Sequence, residues 1–425
     1  MNIIHGDCLE ELKKLEDNSI DAVVCDPPYG LSNTKPQQVA DVLKAWVTGD
    51  TVSVPAKRGG FMGKDWDSFV PPPAVWEECM RVLKPGGHMA VFAGARTQDL
   101  MGLSIRLAGF EIRDTLGWIY GSGMPKSHNI SKAIDKAAGA EREEFTDPRW
   151  EDRYPNGNGG NHNRGPNGIY GQAESVLGRK LTTSNPVTKS AKQWDGWGTS
   201  LKPAIEPIIL ARKPLVGTVA NNVLAHGVGG LNIDACRVGT NQPLVRPSIS
   251  RDDNDVFGKG LGAGVQEEPA GRFPANVLLD EHAAKEMDRQ SGVSTSVRSE
   301  RGAGKRGDTA AFGEYGTLDD TTRGHADSGG ASRFFPVFKY QAKAPKKERP
   351  VIEREDGSKI QHATVKPLAL MEWLVSLIVP PGGTVLDPFA GSGTTLQAAI
   401  NKGFRPIGIE QDADYIKLIE QRLAA

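Results

Sequence analysis

The chain has 425 residues, 38% of them hydrophobic and 24% charged, with a formal net charge of −1. These values allow a buried core and exclude a chain disordered by composition, and the length leaves room for a catalytic domain plus one substantial module. The balanced charge and a sequence pI of 6.7 exclude a bulk polyanion-binding signature, so any nucleic-acid surface has to be local.

Strand-like and helix-like stretches alternate through the first 120 residues: a strand at 2–4, a helix at 8–15 and an apolar strand at 20–25. A helix follows at 74–83, ending at Lys84-Pro85-Gly86-Gly87, then a strand at 88–93, a helix at 97–107 and a strand at 111–120. This rhythm predicts an α/β fold with parallel crossovers. From about 121 to 349 the text turns to Gly, Asn, Ser and Arg clusters such as PNGNGGNHNRGPNG, which reads as inserted material. Within it the apolar island 205–210, rich in β-branched residues, reads as a buried strand of the catalytic sheet. After Pro350 the rhythm returns, with helices at 368–378, 394–401 and 413–423 and strands at 384–386 and 405–410. The four cysteines have no CxxC spacing and no basic leader precedes the first strand, so free thiols in the cytoplasm are the expectation. No uncharged apolar run is long enough to cross a bilayer, and no metal is expected.

Two segments carry chemistry. In VVCDPPYG, residues 23–30, an apolar strand runs into Asp26, two prolines that fix their own φ angles, and Tyr29. Taken alone, the tetrapeptide is a rigid strand-ending turn. It also suits methylation of an aromatic amine: the Asp26 carboxylate and the Pro27 carbonyl can accept both amino hydrogens while Tyr29 stacks on an extruded base, with Pro28 stiffening the loop. In VLDPFAGSGTT, residues 385–395, a strand ends in Asp387 and a glycine-rich turn opens a helix. Gly391 and Gly393 allow close backbone approach, and the helix start offers N–H groups to a carboxylate. The Walker lysine and GxGxxG spacing are missing, which disfavours a P-loop NTPase and a Rossmann dehydrogenase. Glu410, ending the strand IGIE, stands where an acid takes ribose hydroxyls, or is simply a strand end.

The order of HGDCLEEL, DPPYG, RVLKPGGH, HATVKPLALMEWLVSLIVPPGGTVLDPFAGSGTT and IGIE resembles the circularly permuted beta class of DNA amino-methyltransferases, over about 1–120 and 360–425. The resemblance implies the S-adenosylmethionine-dependent methyltransferase fold, a mostly parallel seven-stranded sheet in permuted order with a large target-recognition insertion. It implies S-adenosylmethionine as cofactor, with Asp387, Pro388, Phe389, Ala390, Gly391, Ser392, Gly393, Thr394 and Thr395 lining its pocket and Glu410 on its ribose. Asp7 and Cys8 would approach its adenine, although Asp7 also fits a helix cap with Glu10. Thr364, Lys366 and Pro367 would lie beside its methionine end. Family members carry a glutamate-containing strand paired antiparallel with the one before it, here 206–212 against 111–120.

The implied organisation is a catalytic part at 1–124, an insertion at 125–203, a returning strand at 204–213, a target-recognition region at 214–349 outside the catalytic sheet, and a cofactor part at 350–425. Double-stranded DNA is the implied partner, with a homodimer left open and no residue pointing to a restriction enzyme. Candidate DNA contacts are Lys126 and Ser127 with, in the basic and aromatic segment 332–349, Arg333, Lys339, Lys343 and Lys346. That segment also reads as a core strand FFPVFKY followed by a solvated loop, and Trp194 and Trp197 read as packing residues. A C5-cytosine mechanism is rejected because none of the cysteines follows a proline, and protein-glutamine methylation is disfavoured because the loop of that related family begins with asparagine. Asp26 as first loop residue favours adenine N6 over cytosine N4, where serine is usual; a catalytically silent DNA-binding module is the non-enzyme alternative.

Overall fold

The computed structural model describes residues 2–32, 34–55, 67–121, 123, 127–146, 182–239, 271–296, 299–301, 321–323, 327–338, 348–354, 356–362 and 364–424. Nine strands form one sheet: β1 (Asn2–His5), β2 (Ile20–Cys25), β3 (Leu83–Phe92), β4 (Glu111–Ile119), β5 (Ile205–Arg212), β6 (Val277–Asp280), β7 (Val337–Phe338), β8 (Thr384–Asp387) and β9 (Arg405–Glu410). Their order is β1-β9-β8-β2-β3-β5-β4-β6-β7. Every neighbouring pair is parallel except those of β5, which runs antiparallel to both β3 and β4.

All six residues of β2 are buried, as a parallel strand covered on both faces requires. The helices supplying that cover are amphipathic and begin where the sequence permits: α1 (Cys8–Leu12) is capped by Asp7, whereas α2 (Pro36–Val47) and α3 (Pro73–Val82) open on prolines that need no amide partner. With α4 (Gln98–Leu107) they lie on the first half of the chain. Trp76, Cys79, Met101 and Ile105 pack with Val23 and Cys25 in one cluster. Ala22 and Val24, the alternate residues of the same strand, pack in a second cluster with Leu370, Met371 and Leu374.

The segment Gly123–Pro203 is a separate compact unit. It holds α5 (Ile130–Ala137) and α6 (Lys189–Gln193). Asp135, 1% exposed, ties it together by accepting from Val187 N, from Thr188 N and Oγ1, and from Arg142 Nε at 2.6 Å. Beyond it come α7 (Val219–His226), α8 (Glu281–Ser291), α9 (Leu368–Ile378), α10 (Thr394–Asn401) and α11 (Ala413–Ala424).

Three expectations need correction. The sheet has nine strands, not seven, because β6 and β7 extend it from within 214–349; that stretch does not lie wholly outside the sheet. Lys84-Pro85-Gly86-Gly87 is not a turn between helix and strand, since β3 begins at Leu83 and the four residues form a bulge between the pairs Leu83 with Ile20 and His88 with Ala22. Of the described residues of FFPVFKY, 334–338, Val337–Phe338 is strand, preceded by a short 3-10 turn at Ala331–Phe334.

Candidate active site

The strands β2 and β8 are parallel neighbours, with Val23 level with Leu386, and their chains leave in opposite directions across the sheet, β2 toward β3 and β8 toward β9. That divergence at the carboxyl ends opens the crevice in which α/β sheets bind ligands. Asp26 and Asp387 both stand there.

The Asp26 loop is held by Asp67 and Thr97. Asp67, 3% exposed, accepts from Tyr29 N at 2.7 Å and Gly30 N at 2.9 Å, and Thr97 Oγ1 donates to Tyr29 O at 2.6 Å. Gly30 has φ +68, and a Cβ there would lie 2.7 Å from Val70 N, so the turn admits only glycine. Asp26 in turn has two side-chain donors: Tyr29 OH at 2.8 Å on Oδ1 and Lys366 Nζ at 2.7 Å on Oδ2. Glu206, from β5, stands 3.3 Å from each of the same donors. Burial pulls the Lys366 ammonium toward its neutral form, but the Asp26 and Glu206 carboxylates outweigh that and leave its pKa above the ordinary lysine value. Burial, reinforced by the same two carboxylates, pushes the Tyr29 phenol well up, so it remains a donor. The Tyr29 hydroxyl thus donates to Asp26 and accepts from Lys366 Nζ at 2.9 Å.

On the other side of the crevice, Phe389 N donates to Asp387 at 3.0 Å, Ala390 N to Ile409 O at 2.9 Å, and Gly391 N to Glu410 Oε2 at 2.8 Å. Gly391 and Gly393 have φ +53 and +77; a Cβ on the first would lie 3.0 Å from His362 Nε2 and on the second 3.0 Å from Ile419 Cγ2. Arg422 Nε fastens the loop from behind by donating to Ser392 O at 2.6 Å. Ser392, Thr394 and Thr395 are buried at the start of α10, and Pro388 links Asp387 to Phe389. Burial pushes the Asp387 carboxyl up to about 7 against hydrogen bonds from Thr395 and Phe389 N, and burial also raises that of Glu410.

Two other predicted groups border this loop. His5 pairs with Glu410 across β1 and β9, which puts Asp7 and Cys8 just beyond that level. Asp7 accepts from Leu9 N and Glu10 N, so its helix-cap role is real, while Glu10 pairs with Lys13 instead of closing a box. Thr364 is exposed and its carbonyl meets His362 Nδ1; Pro367 caps α9. Lys366, expected with the cofactor loop, bonds to Asp26 and Glu206. Sequence reasoning missed Asp67, which lies in no motif, and His362, which merely opens HATVKP, and it placed Glu206 on the returning strand without giving it a role at the site.

These residues fit a cationic nucleoside cofactor. Buried acids stand at both strand ends, the two glycines leave the backbone without side chains, and α10 directs its first amides at the loop. The predicted DNA contacts are less coherent. Ser127 Oγ accepts from Thr199 N and Ser200 N within the 123–203 unit, and Arg333 stacks 4.2 Å from the Phe334 ring and donates to Gly329 O and Gly330 O. Lys126, Lys339, Lys343 and Lys346 lie outside the described residues. Trp194 and Trp197 pack on each other at 4.9 Å yet Trp197 is 59% exposed, so they are not core residues.

A family model described as DNA methylase, of the N6/N4 type, matches residues 20–421. The chain belongs to this DNA methylase family. Over short stretches it is 48% identical to the DNA adenine methyltransferase YhdJ of Escherichia coli (strain K12), across 62 residues that make up 15% of this chain and 21% of YhdJ. It is 42% identical to the type II methyltransferase M2.DpnII of Streptococcus pneumoniae across 65 residues, 15% of this chain and 24% of that one. These matches span about a quarter of the relatives' length. The type II methyltransferase M.HindIII of Haemophilus influenzae is 24% identical over 99% of this chain and 94% of its own. Among solved structures, the cytosine-N4-specific PvuII DNA methyltransferase aligns over 99% of this chain and 85% of its own at 12% identity and a TM-score of 0.39. Membership of the family rests on the family model. Among the described residues no helix is long and apolar enough to cross a membrane, and no acidic, His and Cys cluster could hold a metal.

Proposed function

We propose that the protein is a site-specific DNA methyltransferase that moves a methyl group from S-adenosylmethionine to adenine N6 in double-stranded DNA. The observation that carries the proposal is the juxtaposition of two acidic strand ends, Asp26 with its rigid loop and Asp387 with its glycine turn, on neighbouring strands. S-adenosylmethionine supplies a methyl group already activated as a sulfonium. Glu410 and Asp387, with the Gly391–Gly393 turn, hold that cofactor. The Asp26 carboxylate and the Pro27 carbonyl accept the two amino hydrogens of an extruded base, which localises the nitrogen lone pair for direct attack. The surplus proton then leaves through Asp26 to water.

The state of the thiols also supports direct attack without a covalent enzyme intermediate. Burial pushes Cys8 and Cys236 up to about 12 and Cys25 and Cys79 well above the ordinary value, which disfavours a cysteine nucleophile. Aspartate as first loop residue, together with the adenine activity in the name of YhdJ, supports adenine as target.

Incubation of unmethylated DNA with the protein and S-adenosylmethionine, followed by mass spectrometry of the nucleosides, is expected to yield N6-methyladenine. N4-methylcytosine alone would overturn the target base. Cofactor binding with no methylated product would favour the silent module. Asp26→Ala is expected to keep cofactor affinity and lose transfer, and retained turnover would remove Asp26 from its assigned role.

A further inference from the structure

Both oxygens of Asp26 have side-chain donors. Tyr29 OH lies 2.8 Å from Oδ1 and the Lys366 ammonium 2.7 Å from Oδ2. The ammonium is the more consequential of the two, because a charge-assisted hydrogen bond is roughly twice as strong as a neutral one. A carboxylate so neutralised draws little electron density through an incoming amino N–H. If Asp26 is to polarise the target amine, Lys366 has to move its charge elsewhere.

The place for it to go is already built. Because β5 alone runs antiparallel to its neighbours, its first residues, not its last, stand at the carboxyl edge of the parallel strands. Glu206 is thereby set beside a loop that follows the end of β2, two strands away. Its backbone is fixed on both sides: Trp118 of β4 pairs with Glu206, and Ala93 N donates to Pro207 O at 2.9 Å. Its Oε2 stands 3.3 Å from Lys366 Nζ and 3.3 Å from Tyr29 OH, so both donors on Asp26 have a second, slightly longer acceptor in common.

We propose that Glu206 is a positioning residue that draws the Lys366 ammonium off Asp26 when the target amine enters, so that Asp26 meets the amine as an unneutralised carboxylate. The handover is a shift of hydrogen bonds within one buried cluster, with no covalent bond made or broken and no proton changing owner. Lys366 keeps a carboxylate partner throughout, and the cluster never exposes an unpaired buried cation. The proposal rests on the assignment of Asp26 as acceptor of the amine.

The test is single-turnover transfer from tritiated S-adenosylmethionine to DNA from a host lacking adenine methylation. Wild type is compared with Glu206→Gln, Lys366→Met and the double variant. Glu206→Gln is expected to slow transfer about tenfold to a hundredfold, with cofactor and DNA affinities within about twofold of wild type. In the Lys366→Met background the same change is expected to cost less than about threefold, since no ammonium remains to be drawn away. A wild-type rate in Glu206→Gln, or an equal loss in both backgrounds, would overturn the handover. If Lys366→Met does not fold, Glu206→Asp decides: the retained charge is expected to recover most of the rate lost in Glu206→Gln, and equal losses would overturn the proposal. Failure of the underlying reading shows separately, as turnover retained in Asp26→Ala.

Discussion

Asp26 and Asp387 are the same residue in nearly the same place, each at the end of a parallel strand and each followed by proline, yet their surroundings differ. Asp26 is 20% exposed and faces two side-chain donors, one of them an ammonium. Asp387 is 2% exposed and receives a backbone amide and the Thr395 hydroxyl, and burial holds its carboxyl up near 7. The difference arises beyond the shared dipeptide. Pro28 and Tyr29 direct the first loop toward Lys366 and Glu206, while the glycines of the second fold it back onto β9 and α11. A strand-ending Asp-Pro therefore marks the crevice, and the next few residues decide whether the acid works as a charged acceptor or as a sealed wall.

The sharpest way to break this comparison is to neutralise each acid in turn. Asp26→Asn is expected to reduce methyl transfer by about 10²–10³, measured in single turnover, with the cofactor dissociation constant unchanged. Asp387→Asn is expected to weaken cofactor binding by about tenfold in calorimetric titration, with less effect on the rate at saturation. An exchanged pattern would mean that the two strand ends have been assigned the wrong way round. A smaller effect is expected from Gly391→Ala, which meets both a φ of +53 and the His362 ring. It should weaken cofactor binding by about five- to tenfold. Gly403→Ala shares a positive φ of +76 but meets nothing within 4 Å, and should cost stability alone. Equal cofactor affinities in the two glycine variants would show that the Gly391 turn does not approach the cofactor.

Most of this crevice was legible because its parts are contiguous. A buried strand, an acid and a stiff or glycine-rich turn follow one another within eleven residues at 385–395 and within eight at 23–30, so periodicity and turn chemistry act on a single window. The antiparallel strand 205–212 announced itself in the same way, by length and β-branched content. What escaped notice were partners distant in sequence. Lys366 reaches Asp26 across 340 positions and Glu206 reaches Tyr29 across 177, and although both segments were marked by the resemblance, no local pattern shows that they meet at the Asp26 loop. Asp67 is one of two acids in KDWDSF, and its role is to accept two amides of a distant turn. The extra strands β6 and β7, four and two residues long, are too short to show alternation and are strands because β4 offers an edge to β6 and β6 in turn offers one to β7.

The smallest effect tests the sealed character of Asp387 directly through pH. Its carboxyl rises from 3.8 to about 7, chiefly by burial, so the folded protein holds that proton more tightly than the unfolded chain. The stability this group contributes is full below its unfolded value and is lost as pH rises through about 7. His88 in β3 has the opposite sign: burial first, then the charges of Arg212 and Arg113, lower it from 6.5 to about 4. Its contribution is present above 6.5 and is lost as pH falls through about 4. Between those limits the two slopes oppose each other, each at most about 1.4 kcal/mol per pH unit. Calorimetric melting of wild type and Asp387→Asn over pH 5–8 separates them, because the other carboxylates titrate alike in both proteins and cancel in the difference. The variant is expected to gain stability relative to wild type at pH 8 and to lose that advantage steadily toward pH 5. Superimposable profiles would mean that Asp387 is already ionised at neutral pH, leaving two open carboxylates in the crevice and removing the contrast with Asp26.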